Sequence, residues 1–191
     1  MKQLLSVLLV MIVLGCKEDP IPKPNAYLRL DYPKPNYNRL DVGLPFTFEK
    51  NTFSDSISTI KVSNGGRDKG IDLVYPKMKG TIYLTYKQVG PDNLKDFLID
   101  AQNLTQKHTI KADEIVEQPY IDNTNKVFGM FYEVGGNAAS QSQFYVTDSI
   151  NHFITGSLYF YAKPNYDSIL PAAYYLRNDI KHLMETIRWK E

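Results

Sequence analysis

The order of hydrophobic periods after residue 80 constrains the fold of this chain more than any other feature. Residues 81–89 alternate between apolar and polar side chains, which is the period of a strand buried on one face. A helix is predicted after Pro91 and Asp92, because apolar residues then recur at helical spacing: Leu94, Phe97, Leu98, Ala101 and Leu104. One helix therefore interrupts a series of strands.

Four further strands and a second helix are predicted after this helix. The strand candidates are residues 114–118, 127–134, 143–148 and 153–162, and the short connections between them favour antiparallel hairpins. The last helix is predicted from about Leu170 to Ile187, with Pro171 in its first turn. Its buried stripe would be Leu176, Ile180, Leu183, Met184 and Ile187.

This order predicts an α+β fold, in which helices pack on an antiparallel sheet. Residues 46–75 add only short strand-like runs, FTF, ISTIKV and IDLVY. The succession of elements resembles the α-β-α sandwich of the PsbP/Mog1 type, a fold that contains binding and assembly proteins more than enzymes. Such a likeness concerns the fold and implies no activity.

The only cysteine, Cys16, follows Lys2 and a nearly unbroken apolar stretch over residues 4–14. About eleven helical residues span roughly 16 Å, half of a bilayer core, so this segment is a secretory signal and not a membrane span. The sequence VLGC resembles a bacterial lipobox, which predicts lipid attachment at Cys16. The alternative is a buried core cysteine beside a chance apolar run.

Three segments are predicted: a lipoprotein signal peptide over residues 1–15, a lipidated cysteine with a proline-rich stalk over 16–40, and one globular domain over 41–191. Five prolines between Pro20 and Pro35 favour an extended, semi-rigid backbone. With a single cysteine, no intramolecular disulfide is possible, and the hydrophobic core must hold the domain together. Lys17-Glu18-Asp19 resembles a surface-export signal, or is the solvated start of the stalk.

The charge balance argues against nucleic acid as a partner. Without residues 1–15, the chain has 21 basic and 21 acidic residues and lacks the basic excess that phosphate backbones require. The membrane contact is therefore expected to be the acyl anchor alone.

Motifs for catalysis are not found in the sequence. The histidines His108, His152 and His182 have no metal-binding spacing, and Gly156-Ser157 lies in a predicted strand, not in a nucleophile elbow. The loop NGGRDKG lacks the phosphate-loop pattern; we interpret it as a surface loop, with binding by Arg67 or Asp68 as the alternative. We expect no enzyme activity, no cofactor and no metal.

A short motif, Asp-Ser-Ile, occurs three times, at Ser56, Ser149 and Ser168. It resembles the O-glycosylation motif of exported Bacteroidetes proteins. The alternative is that Asp-Ser is common in turns and at helix starts, where Ser168 would cap the last helix.

The lipobox, the stretch PKPNAYLRLDYP over residues 22–33 and the terminal ETIRW together resemble the gliding-motility lipoprotein GldD family of Bacteroidetes. The resemblance implies an outer-membrane-associated lipoprotein required for gliding and linked to type IX secretion. It carries over no catalytic residue.

Three functions remain open. The first is a non-enzymatic accessory or assembly component of the gliding and type IX secretion machinery, with other envelope proteins of that machinery as partners, contacted through exposed tyrosines and the stalk. The second is a lipid-anchored binding module for a small molecule, a glycan or a cell-wall fragment. An enzyme acting on the envelope comes third. The periplasmic and surface faces of the outer membrane are equally compatible with the sequence.

Overall fold

The structure, a computed structural model, describes residues 30–107, 111–161 and 166–190, without the side chains of Ser56, Asn64 and Tyr166. Cys16, the predicted signal peptide, most of the predicted stalk and His108 lie outside the described residues.

The described chain contains eleven strands and two α-helices. The strands are β1 (Tyr37–Leu40), β2 (Phe46–Asn51), β3 (Ser56–Ile57), β4 (Lys61–Ser63), β5 (Asp68–Tyr75), β6 (Gly80–Gln88), β7 (Ala112–Asp122), β8 (Val127–Gly136), β9 (Ser140–Thr147), β10 (His152–Phe160) and β11 (Arg188–Trp189). The helices are α1 (Leu94–Gln106) and α2 (Tyr166–Glu185).

Most strands form one large antiparallel sheet. Its order is β3-β5-β6-β10-β9-β8-β7, and β4 pairs with another part of β5. Four strands that follow one another in the chain, β7 to β10, form a meander, as the short connections predict. On β10, the ring of Phe144 lies over Gly156, where an added Cβ would come within 2.1 Å of a ring carbon. Glycine at position 156 therefore makes room for a core ring.

A second, smaller sheet joins distant parts of the chain. Its order is β1-β2-β11, and β11 pairs antiparallel with β2 through Arg188–Thr47 and Trp189–Phe46. The sheet lies beside α2, since the Thr186 hydroxyl accepts a hydrogen bond from the backbone N–H of Glu49 at 3.0 Å.

The two faces of the large sheet are covered differently. The main core lies between the sheet, α2 and the small sheet, and includes Phe46, Phe131, Leu158, Leu176 and Ile180, all fully buried. On the opposite face, a smaller core holds α1. It consists of Val89, Ala101 and Phe153, with Leu94, Phe97, Leu98 and Tyr145 packed against it. The predicted apolar stripes of both helices are therefore confirmed at most positions.

The predicted fold class is wrong. The chain is mostly β, with two antiparallel sheets and only two α-helices among the described residues, and not an α+β sandwich of the PsbP/Mog1 type. Residues 37–75 contribute five strands where the sequence shows only short runs. The small sheet depends on pairing between β2 and β11, and hydrophobic periodicity carries no signal for contacts between such distant segments.

Two local predictions also need correction. Helix α2 begins at Tyr166, so Pro171 lies inside the helix and not in its first turn. Strand β9 begins at Ser140, three residues earlier than predicted, and adds a run of buried polar side chains to the sheet.

Candidate functional site

A cleft lies between the part of α2 from Leu170 to Arg177 and the strands β7, β8 and β9. Its volume is about 170 Å³, and we call it the α2 cleft. It is lined by Glu114, Val116, Glu133, Val134, Gly135, Gln141, Ser142, Leu170, Ala173, Tyr174 and Arg177. The lining combines carboxylates, a guanidinium, an amide and a hydroxyl with a few apolar side chains.

The floor of the cleft is formed by a β-bulge in β9. Ser142 is opposite Leu158 and Ser140 is opposite Tyr159, so Gln141 is an extra residue without a partner on β10. A bulge redirects side chains, which explains why two consecutive residues of a strand line the same cleft. Gln141 is 5% exposed and Ser142 is 0% exposed.

Both floor residues carry a buried oxygen without a hydrogen-bond partner, Oε1 of Gln141 and Oγ of Ser142. The amide nitrogen of Gln141 is used, because Nε2 donates to the carbonyl of Ala138 at 2.7 Å. Buried polar groups in native proteins nearly always have partners, so two orphan oxygens beneath one cleft require an explanation.

One wall of the cleft carries an ion pair between α2 and β8. Nη1 of Arg177 lies 2.8 Å from Oε2 of Glu133, and both side chains are partly exposed. The other carboxylate oxygen of Glu133 accepts from Nε2 of Gln118 at 2.8 Å, and Lys181 donates to Gln118 Oε1 at 2.9 Å. The guanidinium also lies over the Tyr174 ring, 4.7 Å from its centroid. These contacts fix Arg177 at the edge of the cleft.

Helix α2 also borders a group of buried and partly buried polar side chains of a different kind, which we call the Asp179 cluster: Tyr37, Asn51, Tyr75, Tyr175 and Asp179. Tyr37 Oη donates to Asp179 Oδ1 at 2.7 Å, and Asn51 Nδ2 lies 3.0 Å and 2.8 Å from the two carboxylate oxygens. Tyr75 also hydrogen-bonds this carboxylate. The cluster joins α2 to β1, β2 and β5.

Burial raises the pKa of Asp179, against the opposing effect of the hydrogen bonds from Tyr37, Asn51 and Tyr75. The pKa values of Tyr37 and Tyr75 are also raised, first by burial and then by the adjacent carboxylate. A buried carboxyl with a perturbed pKa is a feature of many active sites. Asp179, however, does not line the α2 cleft, and Tyr37 and Asn51 already donate to both of its carboxylate oxygens. We therefore interpret the cluster as a structural junction.

Three tyrosines lie together on the face of the large sheet that carries α1, and we call them the tyrosine face: Tyr83, Tyr159 and Tyr161. The hydroxyl of Tyr161 is 2.7 Å from that of Thr81 and 3.1 Å from that of Tyr83. Tyr161 is 65% exposed. The hydrogen bond with Tyr161, and secondarily burial, raise the pKa of Tyr83 to about 12.

The two described histidines have structural contacts. His152 Nδ1 is 3.0 Å from the Tyr86 hydroxyl, and its ring stacks on Trp189 at 5.0 Å. Burial lowers the pKa of His152. His182 Nε2 lies 2.8 Å from Glu49 Oε2, and its ring stacks on Tyr37 at 3.7 Å. Within residues 30–107, 111–161 and 166–190, no group of three His, Cys, Asp or Glu side chains could hold a metal ion.

The three Asp-Ser-Ile copies lie in three different elements and are not brought together. Ser56 begins β3. Ser149 is an exposed turn residue with φ of +70°, in a loop where Asp148 Oδ1 accepts backbone hydrogen bonds from Ile150, Asn151 and His152. Ser168 is the exposed third residue of α2 and is therefore not the helix cap.

Arg67 and Asp68, the loop residues with a possible binding role, lie immediately before and at the start of β5. No helix in the described part of the chain is long and apolar enough to span a membrane.

Sequence reasoning missed the α2 cleft. The run SQSQ over residues 140–143 is fully polar, so it suggests a loop before a strand, whereas the structure buries all four residues in β9. Four consecutive polar residues beside a strongly apolar strand are the one signal that could have indicated a buried polar site.

Comparison with protein-family models gives a match over most of the chain. The family model described as gliding motility lipoprotein GldD matches residues 17–189. No curated protein and no solved structure matches the chain.

Proposed function

We propose, since this chain belongs to the gliding motility lipoprotein GldD family, that it is a non-enzymatic accessory or assembly component of the gliding and type IX secretion machinery. The observation that carries the proposal is the family match over nearly the whole chain after Cys16. Its membership in a lipoprotein family makes it a membrane-anchored protein of the cell envelope. We further propose that Cys16 carries the lipid and that the anchor lies in the outer membrane.

The tyrosine face is the surface that we propose for contact with other envelope proteins of this machinery. Tyrosine is favoured at interface hot spots because its ring offers a large apolar area and its hydroxyl a hydrogen bond. Here Tyr83 and Tyr159 pack edge to face at a centroid distance of 5.8 Å, and Tyr161 lies beside them with most of its surface exposed.

Site-specific photocrosslinking in the native host tests this proposal. A photoreactive phenylalanine at Tyr161 is expected to capture gliding or secretion components of the envelope. The same residue at Ile150, which is 68% exposed in a turn at the other end of β10, serves as the control and is expected to capture few. Recovery of uncrosslinked monomer alone from position 161 would contradict an assembly role for this surface.

The predicted modifications have separate tests. Replacing Cys16 by alanine should remove the lipid mass from the mature protein and release it from the membrane fraction. Protease treatment of whole cells that carry the unchanged protein should distinguish the two faces of the outer membrane. Digestion is expected if Lys17-Glu18-Asp19 is a surface-export signal, and protection is expected if the protein lies on the periplasmic face. Glycosylation at Ser56, Ser149 or Ser168 predicts a glycan mass on the native protein, and an unmodified mass at all three peptides would exclude it.

A second function, a lipid-anchored binding module, is favoured by one observation. The α2 cleft has two orphan oxygens in its floor, and a ligand would supply their partners. This function is compatible with the first, since a component of an envelope machine can also bind a small ligand.

A further inference from the structure

We infer that the α2 cleft binds a single sugar residue, through its hydroxyl groups. The inference rests on the binding function proposed above and specifies its ligand. The argument concerns the balance of hydrogen-bonding groups, the charge of the cleft and its size.

The hydrogen-bonding groups of the cleft call for a ligand with both donors and acceptors. Oε1 of Gln141 can only accept, and the carboxylate of Glu114 can only accept when ionised. Oγ of Ser142 can donate or accept, and the ion pair with Glu133 uses one terminal nitrogen of the Arg177 guanidinium, which carries five N–H donors in all. A sugar hydroxyl is a donor and an acceptor at once, so neighbouring hydroxyls can serve both kinds of group.

The charges of the cleft argue against an anion. The positive charge of Arg177 is compensated by Glu133 at 2.8 Å, and Glu114 adds a second carboxylate to the lining. A phosphate or carboxylate ligand would therefore meet net negative charge. A simple amine would suit that charge, but it offers no acceptor to the N–H groups of Arg177.

The size and the apolar contacts of the cleft fit one ring. Its volume of about 170 Å³ lies below the roughly 300 to 1,000 Å³ of sites for drug-sized ligands. Leu170, Ala173 and Val116 supply apolar surface for the C–H groups of a ring. Tyr174, 49% exposed, stands beside Arg177 and lines the same cleft.

The two orphan oxygens support a binding role for the cleft more directly than its shape does. Ser142 is completely buried and its hydroxyl has no partner, which costs free energy of folding that an alanine at this position would not cost. The serine therefore does not serve stability. The neighbouring Asp179 cluster shows that this same helix can surround a buried polar group with donors. Among the described residues, the cleft holds two of the three buried side-chain atoms without a partner; the third, Nε2 of Gln143, lies on the α1 side of the large sheet.

Saturation-transfer NMR on the full lipidated chain in detergent tests the inference. The probes are glucose, N-acetylglucosamine, mannose and rhamnose, with ethylamine and inorganic phosphate as the competing chemistries. At least one sugar is expected to receive saturation and to bind with a millimolar dissociation constant. Ser142→Ala, which breaks no hydrogen bond within the protein, and Arg177→Gln should each weaken that binding at least fivefold.

Ser157→Ala is the matched control. Ser157 is also a nearly buried serine of the large sheet, but it faces α1, on the side opposite the cleft. It should leave sugar binding unchanged, and an equal loss in this variant would overturn the assignment to the cleft. Binding of ethylamine or phosphate alone would overturn the sugar while leaving a binding function. If no probe binds, both the sugar and the binding module fall, and the assembly role still stands on its crosslinking test.

Discussion

Helix α2 borders buried polar groups at two sites, the Asp179 cluster and the α2 cleft, and the two sites differ in how these groups are hydrogen-bonded. Around Asp179, both carboxylate oxygens accept hydrogen bonds from the small sheet, donated by Tyr37 and Asn51, and Tyr75 of β5 approaches the same carboxylate. About one and a half turns earlier, at Ala173 and Tyr174, the helix lines the cleft together with Gln141 and Ser142, whose side-chain oxygens have no partner. Buried polar groups therefore have two roles in this protein: a hydrogen-bonded group joins elements together, whereas the two groups without partners beside the cleft are the ones that we propose for ligand binding.

The largest effect on stability is expected from removal of the Asp179 carboxylate. Asp179→Ala leaves the donors of Asn51, Tyr37 and Tyr75 without their acceptor, and we expect a loss of about 3 kcal/mol in the free energy of unfolding. Relief of the buried charge keeps the loss below the sum of the individual bonds. Equilibrium unfolding in urea measures this loss in the free energy of unfolding. Asn178→Ala, at an exposed position of the same helix, should stay within about 0.5 kcal/mol, and equal effects in both variants would contradict a structural role for the cluster.

A smaller change removes one donor from the same cluster. Tyr37→Phe keeps the ring that stacks on His182 but deletes the hydroxyl 2.7 Å from Asp179 Oδ1. We expect a loss of about 1.5 kcal/mol, the lower end for a hydrogen bond to a charged group. In an Asp179→Ala background the same substitution should have almost no effect. Additive losses in the double variant would show that the hydroxyl acts elsewhere.

In the cleft, the sign of the effect should reverse. Ser142→Ala removes a buried hydroxyl without a partner, so we expect the free energy of unfolding to stay the same or rise by up to about 1 kcal/mol. The matched control is Thr105→Val, because the Thr105 hydroxyl donates to Gln143 Oε1 at 2.9 Å in a buried site. That variant should lose about 1 kcal/mol. A clear loss for Ser142→Ala would mean that the hydroxyl has a partner in the unliganded protein.

The smallest expected effect is a pH dependence that belongs to the Asp179 cluster alone. The pKa of Asp179 is raised above its ordinary 3.8 on folding, mainly by burial, so the folded state binds more protons between that value and the folded pKa. The free energy of unfolding should therefore fall as pH rises through this window. Asp179→Asn lacks this dependence, because an asparagine side chain does not titrate. The free energy of unfolding of the wild type minus that of the variant should therefore be greater at about pH 5 than at about pH 7.

The lowered pKa of His152 has the opposite effect, because the unfolded state then binds more protons below about pH 6.5 and stability falls on acidification. This contribution is common to both proteins and cancels in the difference. A difference between wild type and Asp179→Asn that is constant with pH would contradict the burial of an ionisable Asp179.

The sequence predicts the parts of this fold that are encoded locally. The period-2 stretch at 81–89 becomes β6, the stripe from Leu94 to Ala101 becomes α1, and the last helix contains the predicted buried residues. The small sheet and the fold class could not be predicted in this way, because β1, β2 and β11 acquire their roles only from one another. A two-residue strand at the end of a helix has no period to detect.

The polar sites were hidden for a related reason. On its helix, Asp179 is one acidic residue among several, and its partners Tyr37 and Asn51 lie 142 and 128 residues away in sequence. Gln141 and Ser142 belong to a run that is too polar to suggest a buried strand. In both sites, tertiary packing decides which polar residues become buried, and this burial cannot be predicted from the local sequence.

The pairing of Trp189 with Phe46 has a consequence for the order of events when the protein is made. An exported chain emerges on the far side of the membrane with its amino end first, so β2 lacks its partner β11 until almost the whole chain has crossed, and Phe46 and Phe48 lack their final neighbours until then. The hairpins of the large sheet can form during that interval, because their strands are close in sequence. The small sheet is thus the last part of the fold to be completed, because β11 can pair with β2 only after the remainder of the domain has emerged.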